Sequence, residues 1–155
     1  FETLHLFLLF LITWYHILPK KEMRSLFMNS YCSSLLFDHG PNPFTINLRN
    51  AASHNCNSCT TLWSGSSLEL KLLNILPWKT TGWKQHPETD QIIRIECGTA
   101  LLILASKKYH PNSQKTLHNG DTIFIPAGTW YNLKNISKCP LKLSLVLYSS
   151  NNRTP

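Results

Sequence analysis

The stretch Gly120–Asn135, GDTIFIPAGTWYNLKN, decides the fold of this chain. Its β-branched residues Thr122–Ile125 predict a short strand, and Pro126 ends that strand because proline has no amide hydrogen for a sheet ladder. Asn119-Gly120 before the strand is a tight-turn signal, and Ala127-Gly128 after it is a second turn signal. A short strand enclosed by turns is typical of an all-β domain.

Further short strands are predicted outward from this stretch. They lie at Ser67–Leu76, Gln91–Cys97, Ala100–Ala105 and Leu141–Leu147. In Ser67–Leu76 the residues Leu68, Leu70, Leu72 and Leu76 lie on one face and Glu69 and Lys71 on the other, so we expect a half-buried strand. Pro111-Asn112 is interpreted as a turn, and Asn50–Ser53 as a single helical turn. About eight strands fit between Phe44 and Ser150, a number that suits a jelly-roll barrel.

Composition restricts the classes of protein to which the chain can belong. Its 155 residues suit one domain, since a single core typically holds ~100–200 residues. Hydrophobic residues make up 43% of the chain, which excludes a largely disordered protein. The net charge of +7 is spread out, with basic pairs but no basic stripe, so we expect no nucleic-acid partner.

The five cysteines predict reduced, partly buried thiols, and hence a cytoplasmic protein. Cys56-Asn57-Ser58-Cys59 is one CxxC pair, and a second pair that would complete a structural zinc site is missing from the sequence.

Residues 1–27 are interpreted separately from the domain at 28–155. Leu6–Ile12 is an unbroken apolar run, and Lys20, Lys21 and Arg24 follow it. This leader is an artefact or accessory segment, a membrane anchor, or a signal-like peptide. If it spans a membrane, the basic residues after it would keep the domain on the cytoplasmic side.

A second motif stands at Gly82–Gly98, GWKQHPETDQIIRIECG. Together, the two motifs resemble those of the cupin superfamily. More narrowly, the chain is similar to small single-domain bacterial cupins (cupin type-2), often described as mannose-6-phosphate isomerase-like. The narrower resemblance covers a core of about residues 37–149. It rests on Asp38-His39-Gly40-Pro41-Asn42-Pro43-Phe44, Leu62-Trp63-Ser64-Gly65, His86-Pro87, Asp90-Gln91, Arg94-Ile95-Glu96, Ile125-Pro126-Ala127-Gly128-Thr129-Trp130, Asn132 and Pro140-Leu141-Lys142-Leu143.

The resemblance implies a double-stranded β-helix, or jelly-roll barrel, that holds a divalent metal inside. In cupins the first motif supplies two histidines and a glutamate, and the second supplies one histidine. The corresponding positions here are Lys84, His86, Gln91 and Tyr131. An ammonium has no lone pair to donate to a metal. We therefore expect at most a weak site for Zn, Mn, Fe or Ni, held by His86, Gln91 and Tyr131.

Three functions are compatible with these residues, and no catalytic residue is assigned. The first is a cupin that binds a small sugar-like or anionic ligand through Lys84, His86, Gln91, Trp130 and Tyr131. The second is a metal-dependent sugar-phosphate isomerase, as the narrower resemblance implies. The third is a structural or interaction cupin, which a barrel plugged by Tyr131 and leucines would favour. A homodimer formed through sheet edges is compatible with each of them.

Overall fold

The computed structural model describes residues 36–149, so the predicted leader lies outside the described residues. One helix, α1, spans Leu48–His54. Eight strands follow: β1 Cys59–Ser64, β2 Leu68–Ile75, β3 Thr89–Cys97, β4 Ala100–Lys107, β5 His110–Leu117, β6 Thr122–Ile125, β7 Trp130–Asn135 and β8 Leu141–Ser149. Among residues 36–149, no helix is long and apolar enough to cross a membrane.

The strands form two antiparallel sheets. The larger sheet has the order β1-β2-β8-β3-β6, and the smaller has the order β5-β4-β7. Buried aliphatic side chains from both sheets form the main core, including Ile93, Ile95, Leu102, Leu133 and Leu143. The predicted all-β barrel, consistent with a double-stranded β-helix, is confirmed.

A second, smaller core lies on the outer face of the larger sheet. Ala51 and Ala52 of α1 pack there against Leu62 of β1 and Leu72 of β2. The helix begins at the N-cap Asn47, whose side-chain oxygen accepts a hydrogen bond from the Asn50 amide at 3.0 Å. The predicted single turn is thus part of a seven-residue helix.

The predicted strands are confirmed, but the turn at Pro111-Asn112 is wrong. Both residues lie inside β5, and the chain turns just before it, at Lys108-Tyr109, where Tyr109 has φ 65. Strand β5 is an edge strand that is exposed from His110 to Thr116. An edge position tolerates a proline because one side of the strand has no partner to bond.

Strand β2 has the predicted alternation, with Leu70 and Leu72 on one face and Lys71 on the other, but its leucine face is not the barrel side. Leu70 and Leu72 lie on the outer face, where they join the smaller core beneath α1. Leu73 and Ile75 belong to the barrel core, and Lys71 lines a cavity inside the barrel. Apolar packing layers lie against both faces of this strand, so alternation alone could not identify the side that faces the barrel.

The prediction of reduced, partly buried cysteines is wrong in two respects. Cys59, Cys97 and Cys139 are free thiols, but they are exposed. Cys56, in contrast, is disulfide-bonded. Cytoplasmic localisation stays a prediction.

Candidate functional site

A cavity of about 490 Å³ lies inside the barrel and is called the inner cavity here. Its apolar wall includes Ile93, Leu133 and Leu145 from three different strands. Its polar lining includes Lys71, Lys84, His86 and Tyr131. The structure therefore brings three predicted site residues together and adds Lys71, which is not among the residues predicted for the site.

The segment before β3 carries Lys84 and His86 to this cavity. The Lys84 amide donates to the Tyr131 carbonyl at 2.8 Å, and the Tyr131 amide donates to the Lys84 carbonyl at 2.9 Å. Two residues further along, the Gly128 amide donates to the His86 carbonyl at 2.8 Å. This pairing lays the first motif against β7, so that one cavity receives side chains from both motifs.

Gln91 and Tyr131 form a buried pair. Only 2% of Gln91 and 3% of Tyr131 are exposed, and the Tyr131 hydroxyl donates to Gln91 Oε1 at 2.8 Å. Burial raises the pKa of Tyr131 to about 12, so the phenol stays protonated at neutral pH. Gln91 Nε2 is buried and has no hydrogen-bond partner among the described residues.

His86 is half-buried and is neutral at pH 7. Burial lowers its pKa, because desolvation disfavours the imidazolium. The positive charges of Lys84 and Lys71 lower the pKa of His86 further. A cationic environment therefore surrounds this imidazole.

A second cavity of about 680 Å³, called the vestibule here, adjoins the first. Lys71, His86 and Leu147 line both cavities and mark their junction. Hydroxyl groups are frequent in the vestibule lining: Ser64, Ser66, Ser67, Thr89 and Ser149. Two carboxylates, Glu69 and Glu88, also line it, and Glu69 Oε2 lies 2.9 Å from Lys71 Nζ.

Trp130 is not among the residues that line either cavity. Side chains alternate along a strand, so Trp130 and Tyr131 point to opposite faces of β7. The Trp130 ring lies on the outside, with its centroid 5.5 Å from Lys108 Nζ. The structure thus does not bring Trp130 to the other four predicted site residues.

The barrel of two antiparallel sheets with a lined interior defines a cupin fold. Residues 71–148, about half of the chain, match the cupin domain family (Cupin_2). The chain therefore belongs to the cupin family, and the superfamily resemblance of its two motifs is confirmed. The narrower mannose-6-phosphate isomerase-like group stays a prediction.

Two similar proteins are themselves uncharacterized. The chain is 37% identical to the uncharacterized protein YrkC of Bacillus subtilis over 109 residues, which cover 70% of this chain and 59% of YrkC. It is 33% identical to the uncharacterized protein L612 of Acanthamoeba polyphaga mimivirus over 87 residues, which cover 56% of this chain and 52% of L612. The chain thus matches little more than half the length of these two relatives.

Solved structures show the same fold. The crystal structure of BH2720 from Bacillus halodurans superposes with a TM-score of 0.72 at 32% identity, covering 74% of this chain and 87% of that one. The cupin superfamily protein DSY2733 from Desulfitobacterium hafniense superposes with a TM-score of 0.55 at 14% identity, covering 71% and 94%. At that identity the second likeness concerns the fold alone.

The four residues at the family's metal-ligand positions do not fit a divalent metal. Lys84 offers no lone pair, and the protonated Tyr131 hydroxyl donates its hydrogen to the amide oxygen of Gln91. His86 is the one strong donor of the four. Among residues 36–149, no group of three or more His, Cys, Asp and Glu side chains could hold a metal ion.

The buried pair generates the first testable prediction. Tyr131→Phe removes the hydroxyl and leaves both polar atoms of the Gln91 amide unpaired, at a cost of ~1–3 kcal/mol in the free energy of unfolding. Gln91→Met removes the amide and leaves the Tyr131 hydroxyl unpaired instead. The double variant removes both groups, so we expect it to lose less stability than the two single variants together. Urea unfolding of the four proteins measures the coupling, and strictly additive losses would contradict the pairing.

Proposed function

We propose that this protein is a ligand-binding cupin that takes a small, hydroxylated anion into its barrel and does so without a metal. One observation carries the proposal. The charged side chains that line the inner cavity, among the described residues, are Lys71, Lys79 and Lys84. No carboxylate is among the described lining residues of this cavity, and Glu69 of the adjoining vestibule pairs with Lys71 at 2.9 Å. A cavity of about 490 Å³ has the volume of an ordinary small-molecule site.

The chemistry of the lining specifies an anionic group inside the barrel. Lysine ammonium groups bind carboxylates and phosphates through charge-assisted hydrogen bonds. Leu133 and Leu145 form an apolar wall of the same cavity, which suits the carbon skeleton of a small ligand. Tyr131 lines the same cavity, and its hydroxyl is held in place by Gln91 Oε1.

The vestibule suits the remaining, hydroxylated part of the ligand. Serine and threonine hydroxyls both donate and accept hydrogen bonds, as sugar hydroxyls do. The carboxylate of Glu69 can accept hydrogen bonds from ligand hydroxyls at the junction. These two environments favour a sugar acid or a sugar phosphate, with its charged end in the inner cavity.

The other two functions receive less support. A purely structural cupin would be expected to have a plugged barrel, whereas open volume extends from Tyr131 to the vestibule. The metal-dependent isomerase stays a prediction that no feature of the donor set favours. Catalytic residues are not assigned in this proposal.

Substitutions at Lys71, Lys84 and Glu69 test the anion site, because loss of a lysine and loss of the carboxylate should change the affinity in opposite directions. Lys71→Met and Lys84→Met each remove a charge-assisted contact, so we expect at least about tenfold weaker binding of gluconate or mannose 6-phosphate. Glu69→Gln frees the Lys71 ammonium from its ion pair and should strengthen binding. Isothermal titration calorimetry measures the three affinities.

Lys115→Met is the matched control for these lysine variants. Lys115 is exposed on β5 and lines neither cavity. Lys115→Met therefore lowers the net charge by the same amount as the other two lysine variants but leaves the cavity lining unchanged. Equal losses in all three lysine variants would show a general charge effect and refute the barrel site. Neutral mannose should bind less tightly than either anion.

The titration of His86 generates a prediction about pH. A bound carboxylate stabilises the imidazolium, so it raises the pKa of His86 from its lowered value in the free protein. Binding then takes up a proton, and the affinity for gluconate should rise as the pH falls from neutral toward the lowered pKa of His86. The gluconate carboxylate stays ionised in this range, so its own titration does not contribute. His86→Gln should abolish the pH dependence, and an unchanged slope in that variant would contradict the assignment.

Metal content tests the absence of a metal centre. We expect the full chain, purified without a chelator or an affinity tag, to hold far less than one Zn, Mn, Fe or Ni per chain by plasma mass spectrometry. Lys84→His with Tyr131→His restores the ligand types of the resembled family at two positions, and this double variant should gain metal binding. Stoichiometric metal in the wild type that disappears in His86→Ala would overturn the proposal in favour of the isomerase.

A further inference from the structure

The two cavities of the barrel carry opposite charges. Three lysines line the inner cavity, and within residues 36–149 no carboxylate lines it. His86 is neutral, so the ionised side chains that line the vestibule, among the described residues, are Glu69, Glu88 and Lys71. Two carboxylates against one ammonium leave this lining with a net negative charge. The polarity of the site therefore reverses from the inner cavity to the vestibule.

The sign of the charge changes at Lys71 and Glu69. Lys71 lines both cavities, whereas Glu69 lines the vestibule. Their side chains form an ion pair at 2.9 Å, so the two charges largely cancel. The charges that distinguish the two ends of the site are therefore those of Lys79 and Lys84 on the inside and of Glu88 in the vestibule.

Ser64 adds a hydrogen-bond acceptor to the vestibule. Its hydroxyl donates its hydrogen to Asp38 Oδ2. Hydrogen bonds from Ser64 and from the Gly40 amide lower the pKa of Asp38, so this carboxyl is ionised at neutral pH and can only accept. A serine hydroxyl has one hydrogen, so the lone pairs of Ser64 Oγ are what remain for a ligand.

The backbone around Asp38 holds its carboxylate at this place. The Gly40 amide donates to Asp38 Oδ1 at 2.8 Å, and the His39 amide donates to the Leu62 carbonyl of β1 at 2.9 Å. Gly40 lies so close to β1 that a Cβ atom there would come within 2.0 Å of the Ser64 carbonyl oxygen. Glycine permits this close approach of two backbone segments, and the approach keeps Asp38 beside the Ser64 hydroxyl.

The ligand group that best suits such a vestibule is a positively charged hydrogen-bond donor. Glu88 supplies negative charge, and Ser64 supplies lone pairs that its hydrogen bond to a carboxylate makes more basic. A ligand hydroxyl donates one hydrogen, whereas an ammonium donates three and is also attracted by a carboxylate. The lysines of the inner cavity repel an ammonium, so a dipolar ligand fits with its anionic end inside and its ammonium in the vestibule.

We propose that the ligand of this site is zwitterionic, with an anionic group in the inner cavity and an amino group held in the vestibule by Glu88 and Ser64. This inference rests on the proposed anion site and narrows its ligand to an amino sugar phosphate or an amino sugar acid. Asp38 is a positioning residue in this assignment, because it acts on the ligand through the Ser64 hydroxyl.

Glucosamine 6-phosphate and glucose 6-phosphate test the proposal, because they differ only in an amino group that replaces one hydroxyl. The phosphate and the amino group lie at opposite ends of the sugar. Isothermal titration calorimetry on the full 155-residue chain should give at least about tenfold tighter binding of the amino sugar. N-Acetylglucosamine 6-phosphate, whose nitrogen carries no charge, should lose this advantage.

Two substitutions test which residues hold the amino group. Glu88→Gln removes a negative charge from the vestibule. Asp38→Asn places an amide beside Ser64, and this amide can donate to the hydroxyl and so release the hydroxyl hydrogen toward the ligand. Each variant should reduce the ratio of the two affinities several-fold and leave the affinity for glucose 6-phosphate nearly unchanged. Damage to the fold would instead weaken the binding of both sugars, so the ratio distinguishes the two effects.

Asp121→Asn is the matched control for these variants. Asp121 is exposed before β6 and lines neither cavity, and an asparagine oxygen can still accept the hydrogen bond from the His118 amide. This variant changes the net charge by the same amount as the other two and should leave the ratio of the affinities unchanged.

The outcomes separate the zwitterionic ligand from the anion site on which it rests. Equal affinities for the two sugar phosphates would overturn the zwitterionic ligand and leave the anion site intact. A preference for the amino sugar that survives both Glu88→Gln and Asp38→Asn would show that the vestibule does not hold the amino group. Binding of neither sugar phosphate would refute the anion site and the zwitterionic ligand together.

Discussion

The reciprocal backbone hydrogen bonds between Lys84 and Tyr131 are the constraint on which the site depends. They hold the first motif against β7, and the alternation of side chains then decides which residues share the barrel interior. Tyr131 reaches Gln91 on β3 in the opposite sheet, while Trp130 is left on the outer face. One backbone pairing thus determines both what enters the inner cavity and what stays outside it.

The charge of the cavity follows from the side chains at these positions. In the resembled family, imidazoles and a carboxylate surround a cation. Here an ammonium and a protonated phenol occupy two of the positions, and Lys71 adds another positive charge from β2. The proposed ligand therefore has the opposite sign to the usual metal, because the protein itself supplies the positive charge.

The larger sheet has apolar residues on both of its faces, so each face needs a cover. The smaller sheet and the barrel core cover the inner face, and α1 covers half of the outer one. The remaining half of the outer face exposes Leu68, Ile92, Phe124 and Tyr148.

The sequence by itself determined the strands and the barrel class. It also named Lys84, His86 and Tyr131, which the fold places at one cavity, and Gln91, which accepts a hydrogen bond from Tyr131. Local sequence patterns are enough to predict the strands. The strand Thr122–Ile125, for example, is specified by its own β-branched residues and by the turns on either side of it. Only the tertiary structure decided which way Lys71 and Trp130 point and where the edge strand β5 begins. An alternating pattern along a strand shows that neighbouring residues face opposite sides of the sheet, but it does not show which side is the interior. That choice is made by the layers that pack on each face, here α1 outside β2 and the core inside, and these layers come from distant parts of the chain.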